Sequence, residues 1–223
     1  MQTILTPQFS AIIFDMDNTL FDFYVCLKAG CAAAVASIGA GTADELYRCF
    51  FSGRNHIEDP LNIQEFMQAH ECFSIEGYLA AVAAFDEARM RVLKPYDGIP
   101  EVLAALKANG YRLGLVTDAY MYAAEQRLEK TGLLKYFDVR VAFDTTGYKK
   151  PHHEPFLCAL DLLSVKPFET MFIGDSLVRD VYPAAAVGMT AVHASYGDIY
   201  GGDECGHPSV DTPADILTLL HAA

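Results

Sequence analysis

The sequence is short of basic residues. It carries 16 Lys and Arg against 29 Asp and Glu, a formal net charge of −13. That deficit argues against nucleic acid or an anionic membrane surface as the main partner, because both select clustered positive charge. It does not forbid a small anionic substrate, which a few local cations and a metal can hold against the global field. No C-x-x-C pair occurs among Cys26, Cys31, Cys49, Cys72, Cys158 and Cys205. Scattered among mostly apolar neighbours, these are expected to be buried reduced thiols. Residues 1–10 show neither the basic region nor the apolar core of a signal peptide. The longest near-apolar stretch, Gly30 to Gly41, is too short and too broken by glycine to cross a bilayer. A reducing cytoplasm and no membrane partner are therefore expected. No internal repeat and no low-complexity segment is visible.

What is present is enough for a sizeable core. The chain has 223 residues, of which 52% are hydrophobic and 20% charged, which fits one large domain or one domain carrying an insert. Ala11-Ile12-Ile13-Phe14 is apolar without alternation and reads as a strand buried on both faces, with strand one spanning 9–15. Residues 22–93 lack convincing strands and contain no proline except Pro60. Helical patterns fall near 26–38, 43–52, 61–70 and 75–92, an all-helical insert. Lys94-Pro95-Tyr96-Asp97-Gly98 marks the return. Helices are then expected at Pro100–Ala108, Ala119–Lys130, Pro155–Leu163, Asp180–Val187 and Asp215–His221. Strands are expected at Arg112–Thr117, Val139–Phe143, Thr170–Gly174 and Thr190–Ala194. Alternating strand and helix imply an α/β fold, a Rossmann-like doubly wound parallel sheet, with residues 1–21 and 94–223 as core and 22–93 as insert.

The polar residues cluster at strand ends. Asp15 and Asp17 follow strand one, two carboxylates that repel unless a cation or proton lies between them. Alone, Asp-x-Asp reads more simply as a polar turn. However, Thr117-Asp118 ends the second core strand, Lys149-Lys150-Pro151 follows the third, and Asp175 ends the fourth, with Asp180 five residues on. Ligands bind off the carboxyl ends of strands in such sheets, so all of these groups can converge on one mouth.

The order DMDNTL at 15–20, LVTD at 115–118, KKP at 149–151 and GDSLVRD at 174–180 resembles the haloacid dehalogenase superfamily, in its phosphatase branch (phosphoglycolate phosphatase-like). The helical insert falls where that family's C1-type cap falls. The resemblance implies that Asp15 is a nucleophile forming an aspartyl-phosphate and that Asp17 is the general acid and base. It implies Mg²⁺ held by the carboxylates of Asp15 and Asp175 and the backbone carbonyl of Asp17, since Mg²⁺ takes hard oxygen ligands. Asp180 supports the site, through a metal-bound water or Lys150. Thr117 and Lys150 bind the phosphoryl group, with backbone N–H groups after Asp15 and near Asp118 completing the cradle. The family's Lys-Pro pairing selects Lys150 over Lys149. Family dehalogenases lack the second carboxylate, so Asp17 favours phosphoester chemistry.

Other residues invite readings of their own. His152 and His153 suggest a metal, but adjacent histidines on an irregular loop rarely reach one ion. Asp203, Glu204, Cys205 and His207 sit in a Gly-rich stretch expected to be solvated loop. Asp22 reads as a cap of the first insert helix, and Tyr120, Met121 and Tyr122 as helix packing. Tyr24, Arg54, Asn55 and His56 are the insert residues to watch for substrate contact, although an exposed loop is the plainer reading of 54–56. The expected activity is Mg²⁺-dependent hydrolysis of a small phosphorylated metabolite, phosphoglycolate being one family-level candidate. A phosphomutase and a catalytically weak binding protein are the alternatives.

Overall fold

The fold comes from a computed structural model that describes residues 9–199, 201 and 206–222. Two compact units are present. One takes the chain up to Asp22 and again from Lys94, and the other is Phe23–Leu93. Asp22, expected in the insert, belongs to the first unit.

The first unit opens with β1 (Ala11–Phe14), in which every residue is fully buried. The chain then enters the helical unit, α1 (Phe23–Ile38), α2 (Ala43–Phe50), α3 (Leu61–Ala69) and α4 (Ile75–Val92). α2 is started by a reciprocal cap: Glu45 N–H donates to Thr42 Oγ1, and Thr42 N–H donates to Glu45 Oε2. This unit has its own core, including Leu27, Leu46, Phe50, Ile63, Phe66 and Phe85. Phe50 stacks on Phe85 with ring centroids 5.2 Å apart. Gly30 lies so close to the Phe85 ring that a Cβ there would stand 2.6 Å from it. That glycine is what lets α1 and α4 approach.

The first unit resumes with α5 (Ile99–Ala108), β2 (Arg112–Val116), α6 (Met121–Lys130) and β3 (Val139–Val141). It continues with α7 (Phe143–Thr146), α8 (Glu154–Leu163), β4 (Thr170–Gly174), α9 (Tyr182–Ala186), β5 (Thr190–Ala194), β6 (Ser209–Val210) and α10 (Asp215–Ala222). The six strands are parallel in the order β3-β2-β1-β4-β5-β6. β1 is central, and the chain moves outward on one side through β2 and β3, then returns to its other side at β4. The strand order therefore reverses between β1 and β4, where a crevice opens at the carboxyl ends. Beneath that crevice, Ile13, Val116, Phe156, Leu160, Phe172 and Val181 form part of one continuous core.

Two expectations are corrected. β3 stops at Val141: Ala142 N–H turns to Thr145 Oγ1 at 3.0 Å and Phe143 N–H to Ala119 O at 2.9 Å. Side-chain capping thus diverts the backbone from the ladder into α7. The helix expected at Asp180–Val187 is a π-helical turn, Leu177–Val181, followed by α9. Val181 N–H reaches back five residues to Ser176 O at 3.1 Å, and this wider turn accommodates the five-residue step from Asp175 to Asp180. β6 was not expected, as two residues carry no periodic signal.

Candidate active site

Asp15 leaves β1 with its N–H bonded to Ile173 O of β4 at 2.9 Å. The chain then folds tightly, with Leu20 N–H on Met16 O at 2.8 Å and Asn18 at φ 63°. Asparagine accepts this left-handed conformation better than most residues. The turn returns Thr19 between two carboxylates. Its Oγ1 accepts from Asp175 N–H at 3.1 Å and donates toward Asp15 Oδ2 at 3.5 Å.

Lys150 Nζ donates to Asp15 Oδ1 and to Asp180 Oδ1, each at 2.5 Å, and all three residues are buried. Lys149 goes elsewhere, its Nζ 5.0 Å from the Phe143 ring centroid. The second oxygen of Asp180 accepts from Ser176 N–H at 3.0 Å. Gly174 makes room for it, because a Cβ there would lie 2.6 Å from Asp180 Cβ. Asp118 Oδ1 accepts from Lys150 N–H at 2.8 Å, and its Oδ2 lies 3.9 Å from Arg179 Nη1. The Asp118 side chain thus fixes the lysine loop. Thr117 Oγ1 accepts from Ala119 N–H at 3.2 Å, which leaves its hydroxyl proton for an outside acceptor.

The electrostatics follow from this crowding. Burial, then the Asp15 and Asp180 charges, push the Asp175 carboxyl up to about 9. Burial likewise raises Asp180, against the pull of Lys150. Burial alone would lower the Lys150 ammonium, but Asp15, Asp180 and Asp118 outweigh it and hold the group above its ordinary range. Asp15, Asp175 and Asp180 each offer a carboxylate oxygen within 4.8 Å of one another. Asp175 Oδ1 is buried with no hydrogen-bond partner among the described residues. Three hard oxygens, one of them orphaned, fit a divalent cation such as Mg²⁺.

Asp17 stands apart from that triplet. Its Oδ1 accepts from Arg127 Nη1 at 2.7 Å. The sequence reading missed Arg127, although a signal existed: it lies with Ala124 and Leu128 on the buried stripe of α6, where a charged residue requires a partner. Tyr120 and Tyr122, expected to pack, are exposed; Tyr120 precedes α6 and meets Phe143 edge-on. Tyr24, Arg54, Asn55 and His56 belong to the helical unit. Tyr24 stacks on Phe51, Arg54 pairs with Glu65 at 3.8 Å, and His56 Nδ1 accepts from Glu58 N–H at 3.3 Å. Asn55 Nδ2 is buried without a hydrogen-bond partner among the described residues. Of the Gly-rich stretch, Asp203, Glu204 and Cys205 lie outside the described residues.

A model of the family of haloacid dehalogenase-like hydrolases matches residues 12–194, which contain every strand-end residue described above. The chain belongs to that family. The haloacid dehalogenase-like chain is 29% identical to the N-acetylmuramic acid 6-phosphate phosphatase of Pseudomonas aeruginosa, over 96% of this chain and 95% of that one. A phosphatase of the family from Thermococcus onnurineus shares the fold with a TM-score of 0.68 at 27% identity, covering 95% and 97% of the two chains. A Thermotoga maritima protein classed by inference as a beta-phosphoglucomutase superposes with a TM-score of 0.80 at 25% identity, over 96% and 99%. This chain is a hydrolase of the family's phosphatase branch, acting on phosphomonoesters. No helix among the described residues is long and apolar enough to cross a membrane.

Proposed function

We propose that the chain hydrolyses a small-molecule phosphomonoester with Mg²⁺, in two steps through an aspartyl-phosphate on Asp15. The observation that carries this reading is Lys150 Nζ held between Asp15 and Asp180 beside the orphaned oxygen of Asp175. In the first step an Asp15 carboxylate oxygen bonds to phosphorus and the ester P–O bond breaks. Asp17 gives its proton to the departing alkoxide. In the second step Asp17 takes a proton from water, whose oxygen bonds to phosphorus. The P–O bond to Asp15 breaks, phosphate leaves and the carboxylate is restored. Arg127 orients Asp17 through Oδ1, and the proton that Asp17 gives and takes back is carried on its other carboxyl oxygen. Thr117 donates its hydroxyl proton to a phosphoryl oxygen, and Lys150 balances charge on the Asp15 side. Asp15 and Asp175, with the Asp17 carbonyl, would hold Mg²⁺, which when bound neutralises charge on the phosphoryl group. Small phosphorylated acids and sugars are the substrate class; the N-acetylmuramic acid 6-phosphate and phosphoglycolate phosphatases among the relatives act on such molecules.

The test is turnover of p-nitrophenyl phosphate by wild type and Asp15→Asn, with Mg²⁺ and with EDTA. Wild-type turnover that EDTA and Asp15→Asn both abolish is expected, and an active Asp15→Asn variant would sink the mechanism. The likeness to the Thermotoga maritima protein favours a second reading, phosphoryl transfer to another hydroxyl of a sugar phosphate. Products separate the two, since hydrolysis frees phosphate and a mutase returns an isomer.

A further inference from the structure

We propose that His193 and Asp198 form a positioning pair that orients Asp175 for its metal, an inference that rests on the divalent-cation reading above. His193, the penultimate residue of β5, is in register with Gly174 of β4 and is buried. Its Nε2 lies 3.0 Å from the backbone oxygen of Asp175 and 3.2 Å from Asp198 Oδ2. Both neighbours are acceptors, so Nε2 carries a proton and shares it between them. The Asp198 side chain is itself only 8% exposed, and Gly201 N–H donates to its other oxygen at 3.2 Å. A buried imidazole and a buried carboxylate cost solvation, and their mutual contact offsets part of it.

Asp175 needs such a brace because no group among the described residues holds the end of its side chain at Oδ1, which is buried. Its direction is set by its own backbone. The N–H is fixed by Thr19 Oγ1 and the carbonyl by His193 Nε2. A short turn after β5, Ser195–Gly197, also supports the Asp15 turn from behind. Tyr196 OH donates to Thr19 O at 2.8 Å, and Ser195 Oγ donates to Val210 O at 2.9 Å, tying the turn to β6. His193, Tyr196 and Asp198 therefore join β5, β4 and the Asp15 turn where two metal-binding carboxylates must keep their spacing. Groups that orient metal ligands by hydrogen bonds set affinity by about 10- to 100-fold.

The experiment titrates the full chain with Mn²⁺ by electron paramagnetic resonance, with Mg²⁺ as competitor and no substrate present. His193→Leu is expected to raise the dissociation constant about tenfold or more. His193→Gln, whose amide nitrogen can keep a donor near Asp175 O, should stay within about threefold of wild type, and Asp198→Ala should fall between them. At saturating Mg²⁺ the KM for p-nitrophenyl phosphate should be unchanged in His193→Leu. An affinity within about twofold of wild type in that variant overturns the proposal. Should His193→Leu not fold, an Asp198→Ala affinity equal to wild type overturns it. Wild type that binds no divalent ion sinks the metal reading itself, which is a separate outcome.

Discussion

Arg127 reaches from α6 to place Nη1 2.7 Å from Asp17 Oδ1, and the guanidinium is nearly sealed from solvent. The pair joins the helix after β2 to the turn after β1, so Asp17 is held by charge as well as by its own tight turn. Removing one side of such a pair leaves the other uncompensated. Arg127→Met should lower kcat by about 10- to 100-fold through loss of Asp17 positioning, with little change in KM. A steady-state comparison on p-nitrophenyl phosphate checks it, and an equal kcat would contradict the role given to Arg127.

Lys150 is the cation between two buried carboxylates. Lys150→Met is expected to lose activity and also about 3 kcal/mol of stability in metal-free protein, the scale for breaking a buried ion pair. Urea unfolding with and without Mg²⁺ measures this. The deficit should shrink when Mg²⁺ is present, because the ion supplies part of the missing charge.

The Asp175 carboxyl, pushed up to about 9 from an ordinary 3.8, makes the metal-free site pH-dependent. A raised carboxyl adds stability that is complete below its unfolded value and is lost as pH rises through the folded one. Metal-free protein should therefore weaken between about pH 4 and about pH 9, at up to about 1.4 kcal/mol per unit. In the same window divalent binding must displace the proton, so affinity rises with pH toward about 9. Asp175→Asn should remove both trends. Thermal melts and metal titrations at several pH values provide the readout.

Gly197 makes the tightest approach of any glycine among the described residues, since a Cβ there would stand 1.7 Å from Asn18 O. That oxygen is backbone in the turn that carries Asp15 and Asp17, so it cannot rotate away. Gly197→Ala should cost about 3 kcal/mol, the upper end for overpacking, and reduce turnover as the turn shifts. A melting temperature and kcat equal to wild type would show that the two segments can part freely.

By itself the sequence determined the α/β architecture, because unbroken apolar runs such as Ile12-Ile13-Phe14 and Met171-Phe172-Ile173 alternate with helical segments, the pattern of a parallel sheet covered on both faces. The four helices between Phe23 and Val92 were equally legible from their periodicity and the near absence of proline. So were Asp15, Thr117, Lys150 and Asp175 as residues ending or following strands, since strand ends are local features. Only tertiary structure decided who meets whom. Arg127 lies 110 positions from Asp17, and His193 lies 18 from the Asp175 carbonyl it holds. No periodic pattern encodes such pairings, which follow from strand order and register. Tertiary structure also brought Asp180 fully into the site. The wide turn at Leu177–Val181 and the missing side chain of Gly174 place its carboxylate against Lys150, and spacing along the chain does not carry that geometry.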